Sequence, residues 1–392
     1  MKEDLKVLVI APFYDSFPFV GNLIDATSKY VKHIDVLIHH NYLAELAPYI
    51  PLPYFRWVER FTKKNLIGLK PKPENVTVHV VSMVYFMPDG RNKKLGDKLF
   101  KNFDKFIRQS KIEFDLIHAH FTWPCGYVAV KLGKKYGVPS VITIHEERDL
   151  LLKEYKSRYG KLYWTWKNAN ALIRVNQKDV SLLKEFNHNV FYLPNGFDPN
   201  RLPPMNKEDA RSILGLSFED KVIFSLGNLV ERKGFQHLID AISLVVREKG
   251  NVRCYIGGSG PLRNRLQKQI NKLDLQEHVT LLGFVPDDQL ALWMNAADLF
   301  VLPSLSEGNP TVMFEALGVG LPFVGTAVGG VPEIITSEDY GLLCPPKDPE
   351  CLAEKILIAL EKEWDREKIR KYAEQFTWDR IARKLLKIYR WV

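Results

Sequence analysis

Short apolar runs recur along the chain, and most are followed by a stretch in which apolar residues return every three or four positions. Leu5-Lys6-Val7-Leu8-Val9-Ile10-Ala11-Pro12 is the first such run; it reads as a buried strand ending in a loop, Phe13 to Pro18. A helix of about a dozen residues through Asp25 and Lys29 should follow, and then a second strand, Ile34 to Ile38. Strand, loop, helix, strand is the opening of a Rossmann-like half. Val76 to Ser82, Phe114 to His120, Pro139 to Ile144, Ala171 to Val175 and Val190 to Leu193 extend it. Lys94 to Arg108 sets lysines between Leu95, Leu99, Phe103 and Phe106, the pattern of an amphipathic helix. A polar, proline-bearing linker from Pro199 to Asp220 marks a domain boundary. Lys221 to Gly227 then starts a second alternation, with strands at Val252 to Ile256, Val279 to Leu282 and Leu299 to Leu302. The expected architecture is α/β, with Rossmann-like domains at 1–198 and 199–376 and a closing helical segment at 377–392.

Composition narrows the class without naming it. The 392 residues suffice for two ordinary domains, and 46% apolar with 26% charged residues describes a water-soluble globular chain. There is no run of about 18 apolar residues, so no spanning helix is expected. Met1-Lys2-Glu3-Asp4 is acidic and leads straight into a strand, unlike a signal peptide. Cys125, Cys254, Cys344 and Cys351 are scattered, which predicts no structural zinc and fits a reducing cytoplasm. The formal charge of +9 is compatible with phosphate-bearing ligands, an acidic membrane surface or a solvated exterior. No nucleic-acid module is recognisable.

Several stretches carry chemistry. After the Leu299–Leu302 strand comes a loop, and Asn309-Pro310 reads as an N-cap with proline at the first helical position of a short helix, Thr311 to Leu317. Glu307 lies in the loop and Glu315 about one and a half turns into the helix. Helix-start amides favour an anion, and carboxylates beside them can grip hydroxyls next to a phosphate. The plainer alternative is that Glu307 complements the helix dipole and Glu315 is solvated. In Asn228-Leu229-Val230-Glu231-Arg232-Lys233-Gly234, cations at a helix start suit a diphosphate, though such a start is common. Alternating burial would put His118 and His120 on one face of their strand. Residues 49–72 interleave Tyr49, Tyr54, Phe55 and Trp57 with Arg56, Arg60, Lys63, Lys64, Lys70 and Lys72. Such a segment can dip into an anionic bilayer surface, line an acceptor groove, or pack its own rings.

The motifs are more specific than their spacing. Glu307-Gly308-Asn309-Pro310, Glu315-Ala316, Gly320-Leu321-Pro322-Phe323-Val324-Gly325-Thr326 and Gly329-Gly330-Val331-Pro332-Glu333 together resemble the retaining glycosyltransferases of family four. Pro194-Asn195-Gly196-Phe197-Asp198, His118-Ala119-His120, Gly258-Ser259-Gly260-Pro261-Leu262 and Phe376-Thr377-Trp378-Asp379-Arg380-Ile381 extend the resemblance over most of the chain. It implies a GT-B arrangement, two Rossmann-like domains facing across a cleft with the C-terminal helix crossing back to the first. It also implies transfer of a sugar from a nucleotide-diphosphate sugar, UDP ahead of GDP on family frequency, to a glycan, lipid-linked or small-molecule hydroxyl. Lys233 matches the lysine of the family's G-R-x-x-x-x-K-G, while Asn228 stands at its arginine and Arg232 is the neighbouring cation. Gly21 is the one glycine offered where the family has two against the donor phosphates. Gly258 and Gly260 would close the donor pocket, and the backbone at Phe284 and Val285 would hold the base. Glu315 would hold the ribose hydroxyls. Glu307 would lie by the sugar, with the Gly308 and Asn309 amides, and the Pro310, Thr311 and Val312 helix end would meet the diphosphate. His120 would face the donor sugar and His145 the acceptor.

With no D-x-D motif, neither a metal nor another cofactor is expected, and same-face attack is favoured over a covalent intermediate on Glu307. The cysteine pattern places the enzyme in the cytoplasm and the resemblance suggests polysaccharide biosynthesis, while the composition of residues 49–72 offers a peripheral contact with the inner membrane face as one option beside a surface excursion that packs its own rings. The rivals are a sugar-nucleotide epimerase of the same fold, a pyridoxal-phosphate phosphorylase and a non-catalytic nucleotide-sugar-binding subunit.

Overall fold

Strands buried on both faces need nearly continuous apolar sequence, and that is what the parallel sheets of this chain are made from. The computed structural model describes residues 3–14, 18–49, 58–68, 71–85, 94–157 and 159–392. Two compact units are present, one formed by residues 1–195 with 378–392 and the other by 196–377.

Among the described residues, the first unit holds strands β1 (Glu3–Ala11), β2 (Val31–Asn41), β3 (Val76–Met83), β4 (Leu116–His120), β5 (Ser140–Ile144), β6 (Ala171–Arg174) and β7 (Val190–Tyr192). They form one parallel sheet in the order β3-β2-β1-β4-β5-β6-β7. The alternating burial expected of the His118–His120 strand is not observed: every residue of β4 is buried, because helices cover both faces. Both histidines still share one face, with ring centroids 4.6 Å apart. The stretch after β2 departs from the alternation, as the sequence suggests, and turns into short helical pieces at Tyr42–Tyr49, Glu59–Phe61 and Lys63–Ile67.

The helix Trp378–Trp391 belongs to this first unit. Trp378, Ile381, Leu385, Leu386, Ile388 and Tyr389 are buried in a core with Val7, Val9, Val20 and Ile24. Full burial of a large apolar side chain contributes ~1.5–3 kcal/mol, so the segment is integral to that core. Tyr30 Oη donates to Asp379 (2.5 Å) and Arg383 Nε donates to Tyr30 Oη (2.8 Å).

The second unit holds β8 (Lys221–Leu226), β9 (Val252–Gly257), β10 (Val279–Gly283), β11 (Leu299–Leu302), β12 (Phe323–Thr326) and β13 (Gly341–Cys344), parallel and in the order β10-β9-β8-β11-β12-β13. The direction of winding reverses between β8 and β11, the place where open α/β sheets leave a crevice for ligands. The unit boundary falls at Asn195/Gly196 rather than after Asp198. The reason is Phe197: its ring is buried in the second unit's core and its N–H donates to the Phe376 carbonyl (3.0 Å).

Candidate active site

At the β8/β11 reversal two loops are tied edge to edge. The loop after β8 runs through Asn228 into a single turn, Glu231–Lys233, and then the amphipathic helix Phe235–Glu248. Gly234 joins them at φ +67°, and a Cβ there would stand 2.0 Å from the Pro303 carbonyl oxygen, so only glycine lets the lysine turn approach the β11 loop this closely. Leu305 N–H donates to the Arg232 carbonyl (2.7 Å), completing the join. The glycine turn after β9 braces the same loop from the other side. Gly227 N–H donates to the Gly257 carbonyl, Leu229 N–H to Ser259 and Leu262 N–H to Leu229. Gly258 and Gly260 therefore pack against the backbone of the loop after β8, at Gly227 and Leu229.

The join brings charges together. Lys233 Nζ lies 2.5 Å from Glu307 Oε1, Ser304 Oγ donates to the same oxygen (2.7 Å), and Arg232 reaches Glu307 Oε2 at 3.5 Å. A side chain adjacent to Lys233 would ordinarily point elsewhere. Here the tight turn before Gly234 lets both cations converge on one carboxylate, leaving the cluster with a surplus positive charge. Glu307 is buried, so it is a fixed part of the site and not a solvated complement to the helix dipole. Asn228, at the family's arginine position, is exposed.

The Glu307 loop is clamped from behind. Gly330 N–H donates to the Gly308 carbonyl (2.8 Å), and Thr326 Oγ1 donates to the Ser304 carbonyl. The helix begins at Thr311 and runs to Gly318, with Pro310 as the extended flanking residue. The capping position is thus one residue later than Asn309, because Pro310 has ψ 118° and has not yet entered the helix. Glu315 sits on this helix, paired with Arg201, which also holds Asp287. Burial pushes the Glu315 carboxyl above the ordinary glutamate range, against the pull of the Arg201 guanidinium. Phe284 is exposed on the loop after β10, and Val285 is buried beside it.

In the first unit, His120 and His145 are brought together. His120 Nδ1 and His145 Nε2 are 2.9 Å apart, with rings stacked at 19°. His118 is held on both nitrogens, by Thr143 Oγ1 and by Tyr389 Oη, each at 2.7 Å. Arg174, fully buried, donates to the Ile144 and Glu146 carbonyls and pairs with Asp179, pinning the backbone on either side of His145. Burial drives all three imidazoles towards the neutral form, His120 down to about 3.

Linkage follows from that shift. An unfolded histidine titrates near ~6.5, so between there and about 3 the unfolded chain binds a proton that folded His120 does not. Stability is therefore complete above about 6.5 and declines as pH falls, by up to ~1.4 kcal/mol per pH unit per such group. His120→Asn should make this decline shallower, by about 1 kcal/mol between pH 6.5 and 5.5. Urea unfolding at the two pH values measures it, and an unchanged slope would contradict the assignment.

Gly21 is placed differently from expectation. It lies inside the helix Pro18–Ser28, not in the loop before it, and a Cβ there would meet the Tyr14 carbonyl oxygen at 2.6 Å. Its role is close backbone packing. Of the basic aromatic stretch 49–72, residues 50–57 and 69–70 lie outside the described residues, as does the Arg60 side chain. In the described part Tyr49, Lys63 and Lys64 are exposed, as are Tyr42 and Leu46 just before it. Among the described residues no helix is long and apolar enough to cross a membrane, and no group of three or more His, Cys, Asp or Glu side chains could hold a metal. Ser304 and Arg201 were not legible as site residues. Arg201 meets Glu315 across 114 positions of sequence, and a serine three residues before a glutamate carries no local signal.

Comparison with known proteins agrees with this arrangement. Residues 206–376 match the family described as glycosyl transferases group 1, and residues 67–201 match glycosyltransferase family 4. An uncharacterized glycosyltransferase of Methanocaldococcus jannaschii is 30% identical over 281 residues, covering 70% of this chain and 75% of the relative. The putative teichuronic acid biosynthesis glycosyltransferase TuaC of Bacillus subtilis is 32% identical over 258 residues, 64% of this chain and 63% of TuaC. Among solved structures, Anabaena HepE in complex with UDP superimposes with a TM-score of 0.75 at 20% identity, covering 99% of this chain and 100% of HepE. With the family matches, the two parallel-sheet units and the relatives' shared description in agreement, the chain belongs to the group 1 glycosyltransferases and is a glycosyltransferase enzyme of GT-B fold.

Proposed function

We propose that this enzyme transfers a sugar, with retention of anomeric configuration, from a nucleotide-diphosphate sugar to an acceptor hydroxyl without a divalent metal. The observation that carries the reading is the convergence of Lys233 and Arg232 on buried Glu307 at the β8/β11 reversal. When the anomeric C–O bond breaks, negative charge grows on the departing diphosphate. Two preset cations and the N–H groups of Thr311 and Val312 at the helix start meet that charge with little reorganisation. Glu315 would accept from the ribose hydroxyls, as an ionised carboxylate can. UDP is the favoured nucleotide: HepE, of the same fold, is solved with UDP and with UDP-glucose.

Same-face attack is the better account of retention. Glu307 Oε1 already accepts from Lys233 and Ser304, and Oε2 faces Arg232, so the carboxylate is tied down rather than poised as a nucleophile. In such a step the acceptor oxygen bonds to the anomeric carbon as the phosphate oxygen leaves, and its proton passes to that phosphate oxygen. His120 is assigned to the donor sugar and His145 to the acceptor; being neutral, they act as hydrogen-bonding groups. The acceptor is proposed to be a glycan or a lipid-linked saccharide at the cytoplasmic membrane face. The relative TuaC and the exposed Tyr42, Leu46, Tyr49, Lys63 and Lys64 support that choice.

One experiment tests the reading in two stages. A thermal-shift panel of UDP-, GDP- and ADP-sugars should show stabilisation by a UDP-sugar, since a ligand that binds only the folded state raises the melting temperature by mass action. Transfer from that donor to soluble and vesicle-borne saccharide acceptors, with and without EDTA, should give retained product at equal rates in the two conditions. Loss of transfer on chelation, or an inverted product, would remove the proposal.

A further inference from the structure

The Arg201 contacts are unusual for a residue in the segment that merely enters a domain. Its Nε and Nη2 donate to Asp287 Oδ2 (2.9 Å) and Oδ1 (2.7 Å), a bidentate fork, while Nη1 donates to Glu315 Oε1. Asp287 is the first residue of the helix Asp287–Ala296, immediately after Gly283-Phe284-Val285-Pro286, and Glu315 lies on the helix Thr311–Gly318. One guanidinium therefore fixes two carboxylates on two helices. Glu315 is largely shielded, its side chain 12% exposed, and burial alone would favour its neutral acid. The arginine opposes that. It also occupies only one oxygen: among the described residues Oε2 takes no hydrogen bond. A carboxylate fixed through one oxygen and open at the other suits a ligand hydroxyl.

Building on the proposed nucleotide-sugar reading, we infer that Arg201 is a positioning residue for nucleoside recognition, holding Glu315 in the one rotamer whose second oxygen meets the ribose hydroxyls. Arg201 does not touch the ligand. Its effect is felt only by ligands that have those hydroxyls. A planar fork is required, because a lysine can hold one carboxylate as a point charge but cannot bridge both with the same geometry.

Calorimetric titration of the full chain with UDP and GDP, each against its 2′,3′-dideoxy counterpart, tests this. Wild type should bind the natural nucleotide more tightly than the dideoxy form. Arg201→Met should weaken binding of the natural nucleotide about tenfold or more while leaving the dideoxy form within about twofold. Arg201→Lys should recover part of the loss, and Arg201→Met combined with Glu315→Ala should be no worse than Glu315→Ala alone. Equal weakening of both ligands would show Arg201 to be a structural staple, and no weakening of either would show it to be idle; both overturn the inference while leaving the donor reading intact. Wild type indifferent to the ribose hydroxyls would instead remove Glu315 from the donor site, and the inference with it.

Discussion

Lys233→Ala is expected to lower turnover at least about a hundredfold, the loss that follows when one preorganised charge-stabilising donor, worth ~3 kcal/mol, is removed from a transition state. The size of the effect rests on where the lysine is. Its side chain is 11% exposed and held against buried Glu307, so it cannot be replaced by a mobile surface cation. Arg232 is the nearest substitute, but at 3.5 Å from the other oxygen and more exposed it compensates only in part. Removing Lys233 also leaves Glu307 without its closest counter-charge, and breaking one side of a shielded pair destabilises the fold. The two consequences can be separated. Lys233→Met combined with Glu307→Gln removes the pair together and should recover most of the lost melting temperature, yet not the turnover. Near-normal transfer by Lys233→Ala, measured with saturating donor, would show that the diphosphate charge is met elsewhere.

How far the sequence alone reaches can be read from these residues. Lys233, Glu307 and Glu315 stand in a chemically distinctive order, in the loops and the helix that follow β8 and β11, whose apolar runs are easy to see. The Rossmann-like alternation is legible because strands covered on both faces demand continuous apolar residues. His120 and His145 are visible singly, but their mutual contact depends on the registration of β4 beside β5, which the strand patterns do not encode. Arg201 was hidden for a stronger reason: its segment reads as a polar linker, and its partners lie 86 and 114 positions away. The glycines misled in one case and said too little in another. Gly21 looked like a phosphate-loop residue and is a packing residue within a helix. Gly329 matched a motif, but its reason, the proximity of the Glu307 carbonyl, appears only in the folded chain.

That proximity leads to the second large effect. Gly329 has φ +54°, and a Cβ built on it stands 2.0 Å from the Glu307 carbonyl oxygen, where real contacts do not fall below 3.0 Å. Both partners are backbone, so relief requires the Glu307 loop to move by about 1 Å. A displacement of that size in a positioning element can cost ~100-fold in rate. Gly329→Ala is therefore expected to reduce turnover about a hundredfold while every side chain that would touch the donor remains in place. Left-handed backbone strain adds ~1–2 kcal/mol of instability, and that part needs its own control. Gly215→Ala supplies it: φ is +66°, in the same region, but nothing lies within 4 Å of its Cβ. Gly215→Ala should lose a similar share of melting temperature and keep its turnover. If the two variants lost activity alike, strain and not the position of Glu307 would be the cause. If Gly329→Ala kept full activity, the carboxylate held between Lys233 and Arg232 would not need its present position.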